Sequence, residues 1–277
     1  MKITLDLGGT NIRAAIVENG ICRNRISQPC RSDASENVVI KQITDMIASL
    51  LNIVSDNCDG IGIGVPSIVD PREGIVYNAC NIPSWKEVHL KEILQKQFNI
   101  EVRVNNDCNC FALGETYYGS GKGYSDVVGV TLGTGIGCGL IFNGRLHTGI
   151  ICGAGEMGSL PYLDSDYEHY CSSLWLRDKY STTGAQLASR AADGDMGALK
   201  IWEEYGHNLG EFTKAILFAY APQIMVVGGG IAAAMPYFIK GWNDSISQFP
   251  YPEILRNFKM VTASQADANL LGASLLF

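Results

Sequence analysis

Two glycine turns, each flanked by apolar strands, decide the fold of this 277-residue chain. The first lies in ITLDLGGTNIRAAIVENG (residues 3–20) and the second in VVGVTLGTGIGCGLIFNG (residues 127–144). Apolar residues alternate before the first turn and resume after it, which predicts two strands joined as a hairpin. Leu7 corresponds to Leu132 and Gly20 to Gly144, so one residue is missing between them in the second copy. An internal repeat of about half the chain predicts two similar lobes.

The rest of the chain alternates between strand and helix patterns. Helices are predicted at residues 38–53, 88–98, 109–116, 185–193, 196–219 and 268–276, and strands at residues 60–65, 102–104 and 225–227. This alternation is typical of an α/β architecture, in which helices cover a sheet.

Composition excludes several classes of protein. The 28 acidic and 21 basic residues leave a net charge of −7, which disfavours a nucleic acid or an anionic membrane as partner. The nine cysteines include no C-x-x-C pair, which is typical of a reduced compartment. The first ten residues contain no secretory signal, and the uncharged run at 215–239 is broken by proline and glycine. We expect a soluble cytoplasmic protein.

The glycine turns are candidate phosphate sites because such turns direct backbone N–H groups at one concave point. Asp6 precedes the first turn and is suited to hold a hydrated divalent cation such as Mg²⁺. A single hairpin of this kind is as often an ordinary tight turn, but its repetition favours nucleotide binding. The sequence lacks the strings G-x-x-x-x-G-K-[ST], H-E-x-x-H and G-x-S-x-G. The spacing G-x-G-x-x-G occurs at GAGEMG (153–158) but does not directly follow a predicted strand, so it fails as a dinucleotide fingerprint, and the enzyme classes that use these motifs are disfavoured.

Asp107 directly follows a predicted strand, where ligands bind in open α/β sheets. It is a candidate general base for phosphoryl transfer, although an aspartate there is more often a helix N-cap. Asn81, Glu156 and Glu168 are weaker candidates, since such residues are commonly turn or solvated residues. Glu156 stands out because it lies in an almost uncharged, glycine-rich stretch.

The motifs together resemble the ROK family of repressors and sugar kinases, within the actin and hexokinase superfamily. The resemblance runs from end to end and in order through LDLGGTNIR (5–13), GVPSIVD (64–70), NIPSW (81–85), VNNDCNCFALGE (104–115), TLGTGIGCGLIFNG (131–144), GAGEMG (153–158), VVGGGI (226–231) and LLGAS (270–274). It implies two actin-like, ribonuclease H-like lobes with a cleft between them. The implied division is a small lobe at 1–114, to which 266–277 returns, and a larger lobe at 115–265.

The resemblance also implies roles for individual residues. Asp107 would be the catalytic base, and Asp6 would serve Mg²⁺ through water. ATP would be bound by residues of three glycine segments, namely Gly8, Gly9, Thr10, Asn11, Gly133, Thr134, Gly135, Gly229 and Gly230. The sugar would be bound by Asn81, Asn106, Asp107, Glu156 and Glu168.

The chain departs from the usual family pattern after GAGEMG. Ser159 stands where the family usually has histidine, and the three cysteines of its zinc loop are missing, so structural zinc is expected to be absent. The pattern resumes at YEHYCSS (167–173), which makes Glu168 the second sugar-binding glutamate. A metal site built from His169 and Cys171 with Cys108 and Cys110 is disfavoured, because two ligands on one short segment do not make a tetrahedral site.

The resemblance therefore predicts an ATP-dependent kinase that phosphorylates the 6-hydroxyl of glucose or a related aldohexose or N-acetylhexosamine. The alternatives are a sugar-sensing or regulatory protein without catalysis, and a kinase for fructose or allose. Regulators of this kind carry a helix-turn-helix ahead of the first phosphate turn, and this turn begins within ten residues of Met1, so DNA binding is not expected. A homodimer is compatible with the family.

Overall fold

A computed structural model describes residues 1–54 and 58–277. The strands in this part of the chain are β1 (Lys2–Leu7), β2 (Asn11–Glu18), β3 (Ile21–Pro29), β4 (Gly60–Val65), β5 (Ile68–Asp70), β6 (Ile75–Tyr77), β7 (Glu87–His89), β8 (Val102–Asn106), β9 (Val127–Leu132), β10 (Ile136–Phe142), β11 (Arg145–His147), β12 (Pro161–Tyr162), β13 (Ser165–Asp166), β14 (Ile224–Gly228) and β15 (Lys259–Thr262). The α-helices are α1 (Glu36–Val54), α2 (Leu90–Phe98), α3 (Asp107–Tyr118), α4 (Tyr167–Tyr170), α5 (Ser173–Tyr180), α6 (Gly184–Ala192), α7 (Met196–Tyr220), α8 (Met235–Ile246), α9 (Pro252–Asn257) and α10 (Ala268–Ala273).

The two halves of the chain form five-stranded sheets of the same design. Their strand orders are β3-β2-β1-β4-β8 and β11-β10-β9-β14-β15. In each sheet the first three strands are antiparallel neighbours and the last two add in parallel. Leu7 pairs with Ile12 across the first turn and Leu132 pairs with Ile136 across the second, so the missing residue lies in the second turn. The predicted internal repeat and two-lobe α/β fold are confirmed.

Each lobe has its own apolar core. In the first lobe, α1 buries one face, which includes Ile43, Ile47 and Leu50, against the first sheet. In the second lobe, α7 and α8 pack together and contribute buried aromatic residues such as Trp202 and Phe238. The apolar period of these helices therefore matches the face that each turns to its sheet or to its partner helix.

One helix among residues 1–54 and 58–277, α1, is long and apolar enough by length and composition to cross a membrane. Its buried side chains Ile43, Met46, Ile47 and Leu50 belong to the core of the first lobe. The uncharged run at 215–239 is not one helix, because it contains the end of α7, strand β14 and the start of α8.

Helices α3 and α10 touch backbone to backbone between the two sheets. A Cβ on Gly272 of α10 would lie 1.7 Å from the carbonyl oxygen of Cys110, and one on Gly114 of α3 would lie 2.0 Å from that of Ala268. Only glycine permits this approach. Because α3 also packs on β9 and β10, it joins the two lobes. The predicted lobe boundary at 114/115 falls inside α3, and the division into 1–114 and 115–265 stays a prediction.

Several elements were not anticipated from the sequence. They are the strands β3, β5 to β7, β11 to β13 and β15, and the helices α4, α5, α8 and α9. Most are short, and their sequences carry too few residues for an apolar period to be recognised. The predicted helices and strands are all present, with ends that differ by a few residues.

A fully buried carboxylate, Glu115, fixes the two segments through which the chain passes between the sheets. Its Oε2 accepts hydrogen bonds from the backbone N–H groups of Ser120 at 2.8 Å and Ser264 at 3.2 Å. Its Oε1 accepts from the N–H of Gln265 at 2.8 Å. Three donors on two distant segments are thus satisfied by one side chain, which lets the carboxylate remain buried.

We expect Glu115→Ala to lower the free energy of unfolding by about 2 kcal/mol or more, because hydrogen bonds to charged groups contribute ~1.5–3 kcal/mol each. Urea denaturation followed by circular dichroism measures this change. Glu73→Ala, at an exposed turn position, is the control and should be nearly neutral. Equal effects of the two substitutions would show that Glu115 does not fasten these segments.

Candidate active site

One cavity of about 600 Å³ lies between the lobes and receives residues from both. The first lobe contributes Ser67, Tyr77 and Cys80 from the segment that follows β4. Eight of the predicted site residues line this cavity, namely Asn106, Asp107, Gly133, Thr134, Gly135, Glu156, Glu168 and Gly229.

Asp107 lies where strand β8 passes directly into helix α3. The N-cap of α3 is Asn106, whose Oδ1 accepts from the N–H groups of Cys108 at 2.8 Å and Asn109 at 3.2 Å. The interpretation of Asp107 as the cap is therefore wrong, because the neighbouring amide takes that place. Asp107 is the first residue of the helix, and its carboxylate is turned to the cavity.

The Asp107 carboxylate is electrostatically unusual. Burial raises its pKa to about 7, and the negative charge of Asp6 acts in the same direction. The N–H of Cys108, at 2.9 Å from Oδ1, opposes this shift. A pKa near neutrality makes this carboxylate more basic than an ordinary aspartate, which suits a general base.

Glu156 and Glu168 are on the second lobe and face the same space. Burial raises the pKa of Glu156, and the charge of Glu168 raises it further. The thiol of Cys80, from the first lobe, has its pKa raised by burial and then by the charges of Glu156, Glu168 and Asp107. Three carboxylates from two lobes therefore surround one region of the cavity.

Glu168 is connected to the second glycine turn. It lies on the single-turn helix α4, which is capped by Asp166 through a hydrogen bond from the N–H of His169 at 2.8 Å. Its Oε2 accepts from the N–H of Ile136 at 3.3 Å. A Cβ on Gly135 would lie 2.4 Å from this oxygen, so the contact requires glycine there.

Both glycine turns present backbone N–H groups that the protein does not use. Within the described residues, the amides of Gly9 and Thr10 in the first turn and of Thr134 and Gly135 in the second donate to no protein acceptor. Such paired amides suit the oxygen atoms of an anion.

The remaining predicted residues do not line the cavity. These are Asp6, Gly8, Gly9, Thr10, Asn11, Asn81 and Gly230. Asn81 is exposed and lies against the first turn, where a Cβ on Gly9 would be 2.3 Å from its Cβ. A second crevice, apolar in character, begins at Gly229 and runs past Ala232 and Met235, so Gly229 is shared by the two.

Asp6 lies at the end of β1, almost fully buried, and is held by two partners. Its Oδ2 accepts from Arg13, the residue opposite it on β2, at 3.0 Å from Nε and 2.6 Å from Nη2. Its Oδ1 accepts from Nδ2 of Asn269 on α10 at 3.1 Å. Neither partner was named from the sequence, although the hairpin register offered a signal for Arg13.

Ser159, at the position where the family usually has histidine, is exposed. Within residues 1–54 and 58–277, no three His, Cys, Asp or Glu side chains are grouped as metal ligands. The side chain of Cys171 is buried in the core of the second lobe, and Cys108 contacts Thr131 at 3.3 Å.

Known proteins resemble this chain over most or nearly all of its length. A glucokinase of Thermotoga maritima is 28% identical over 98% of this chain and 95% of that protein. A xylose repressor of Bacillus spizizenii is 26% identical over 78% of this chain and 60% of that protein. The structure of a ROK family glucokinase from Streptomyces griseus, in complex with glucose and AMPPNP, matches 99% of this chain and 98% of that one with a TM-score of 0.85 and 23% identity.

The fold shared with that structure is the actin-like arrangement of two lobes. The model of the ROK family matches residues 2–277, and the chain therefore belongs to the ROK family.

Proposed function

We propose that this protein is an ATP-dependent sugar kinase that transfers the γ-phosphoryl group to a hexose hydroxyl. The observation that supports this most directly is the meeting of Asp107, Glu156 and Glu168 in one cavity with the unused amides of Thr134 and Gly135. A proton acceptor, hydroxyl-binding carboxylates and a phosphate-binding turn are thereby adjacent. Relatives such as the glucokinase of Thermotoga maritima support the same activity.

The sugar end of the cavity is formed by the carboxylates. Glu156 and Glu168 are acceptors for the hydroxyl groups of a hexose. Asn106 has used both lone pairs of its Oδ1 for capping, and its Nδ2 donates to the carbonyl of Ser67 at 3.1 Å, so one N–H remains for the sugar. Asn81 does not line the cavity, and its role in sugar binding stays a prediction. The 6-hydroxyl of glucose, a related aldohexose or an N-acetylhexosamine is the proposed acceptor.

Asp107 is the proposed base. The hydroxyl oxygen attacks the γ-phosphorus, the bond from that phosphorus to the bridging oxygen of ADP breaks, and the hydroxyl proton passes to the Asp107 carboxylate. A pKa near 7 suits this transfer, because the carboxylate is both ionised in a useful fraction and basic enough to hold the proton.

The phosphate end is formed by glycine turns. The amides of Thr134 and Gly135 are proposed to bind the phosphates from the second lobe, and those of Gly9 and Thr10 from the first, together with Gly8 and Asn11. The apolar crevice that begins at Gly229 suits the nucleoside, since Gly229 also lines the interlobe cavity. The predicted contact of Gly230, the next residue, stays a prediction. Positioning and charge neutralisation dominate such a transfer, so no cluster of basic residues is needed.

The residues present fit a hydrated Mg²⁺. Asp6 and Asp107 are oxygen donors close enough that the charge of Asp6 raises the pKa of Asp107, and a cation beside them relieves this repulsion. Two carboxylates are the number that Mg²⁺ commonly takes while it retains water. When bound, the ion neutralises charge on the phosphates during transfer.

A sugar sensor without catalysis is the second candidate, and the xylose repressor relative is the observation that favours it. The two candidates differ in one respect: a sensor binds sugar without phosphoryl transfer. Kinases for fructose or allose differ only in the sugar that gives turnover.

The function is tested by ADP release with Mg·ATP across glucose, mannose, N-acetylglucosamine, N-acetylmannosamine, fructose and allose. We expect turnover on an aldohexose or N-acetylhexosamine, and a loss of about 10²–10⁴ in kcat in Asp107→Asn, because general base catalysis contributes that much. Asp193→Asn makes the same change at an exposed position and is the control. Sugar binding in calorimetry without turnover on any sugar would establish the sensor instead.

We expect Glu156→Gln to weaken sugar binding by about 10- to 100-fold, because a hydrogen bond to a charged partner contributes ~1.5–3 kcal/mol. Calorimetry with the sugar identified above measures this. Glu253→Gln, whose side chain is 71% exposed, serves as the matched control. Unchanged affinity would remove Glu156 from the sugar site.

The raised pKa of Asp107 predicts a pH dependence of stability. Its folded pKa of about 7 exceeds the unfolded value of about 3.9, so its contribution is complete at low pH and is lost as the pH rises through 7. We expect the wild-type protein to lose free energy of unfolding relative to Asp107→Asn between about pH 4 and pH 7, with little further change above pH 7. Urea denaturation in metal-free buffer measures both proteins, and a constant difference would contradict the shift.

A further inference from the structure

We propose that Asn269 is a positioning residue that holds the Asp6 carboxylate in register with Asp107, and through it the cation that Asp6 serves. The inference rests on the proposed kinase function and extends it to a residue of the C-terminal helix. It is drawn from the contacts of this side chain, which joins the Asp6 carboxylate to the backbone at Asp107.

One amide nitrogen makes both connections. Nδ2 of Asn269 donates to Oδ1 of Asp6 at 3.1 Å and lies 3.5 Å from the backbone carbonyl oxygen of Asp107. An amide carries two N–H donors on one nitrogen, so both contacts are made by one group. The Asp6 carboxylate is thereby tied to the backbone at the first residue of α3, Asp107, by a single planar side chain.

The helix that carries Asn269 has little freedom to move relative to Asp107. Gly272, one turn further along α10, brings that helix to the carbonyl of Cys110 on α3, and Gly114 brings α3 to the carbonyl of Ala268. Asn269 lies between these two contacts. Functional groups on closely packed helices are held more precisely than groups on loops.

The neutral amide of Asn269 is also well suited to orient the Asp6 carboxylate. Arg13 occupies Oδ2 of Asp6 and supplies a positive charge, whereas Asn269 occupies Oδ1 without charge. With a donor on each oxygen, the carboxylate plane is fixed. The positive charge of Arg13 weakens the attraction of Asp6 for a cation, whereas the neutral amide of Asn269 orients Oδ1 without weakening that attraction further.

The test measures Mn²⁺ affinity by electron paramagnetic resonance in the presence of AMPPNP, along with kcat and sugar affinity. For Asn269→Ala we expect both Mn²⁺ affinity and kcat to fall by about 10- to 100-fold, as is typical when a partner of a metal-serving carboxylate is removed. Sugar affinity should not change. Asn269→Leu keeps the side-chain volume without an N–H donor and should give the same loss.

Gln265→Ala is the matched control. It removes an amide hydrogen bond, from Nε2 to the carbonyl of Tyr118 at 2.7 Å, from the segment just before the same helix. We expect Mn²⁺ affinity and kcat to remain at the wild-type level in this variant. An equal loss in Gln265→Ala would assign the effect to helix packing and overturn the proposal.

The outcomes separate this inference from the proposed function. Wild-type Mn²⁺ affinity in both Asn269 variants would overturn the positioning role, whatever the kinase assay shows. A wild-type protein without turnover would overturn the kinase function, while a selective loss of Mn²⁺ affinity in the Asn269 variants would still support the positioning role.

Discussion

Helices α3 and α10 touch backbone to backbone, and the position of the candidate site depends on that contact. The glycines Gly114 and Gly272 remove the side chains that would separate the two helices. As a result, α3 lies between the sheets, with its first residue, Asp107, at the interlobe cavity. The same contact brings Asn269 to Asp6, so the first hairpin, the start of α3 and the C-terminal helix are directly connected.

The distribution of charge follows from what each end of the cavity is proposed to bind. Carboxylates gather at the proposed sugar end, where burial and then the charge of Glu168 raise the pKa of Glu156, and where Asp107 has a pKa of about 7. Neutral amides of the glycine turns form the proposed phosphate end. Arg13 is the cation in direct contact with Asp6, and its charge is used within the protein. In the proposed kinase a bound cation would therefore supply the counter-charge for the phosphates.

Local sequence patterns predicted most of the framework. The repeat gave two hairpins because alternation and glycine turns act over a few residues, and the long helices were visible from their apolar period. The role of Asn106 was harder to foresee, since its amide caps α3 and retains one N–H for a ligand. Asn81 lies against Gly9 of the first turn, and its predicted role in sugar binding stays a prediction.

By itself the sequence determined the repeat, the two-lobe fold and the position of Asp107 at a strand end. Each of these follows from apolar spacing and glycine turns that are visible within short segments of the chain. Only the tertiary structure decided which distant groups meet. Asp6 and Asn269 are 263 positions apart, and Glu168 meets the N–H of Ile136 from a separate helix. Such contacts depend on how the helices and sheets pack against one another. Residues that meet in this way have no regular spacing along the chain, so the sequence alone does not reveal them.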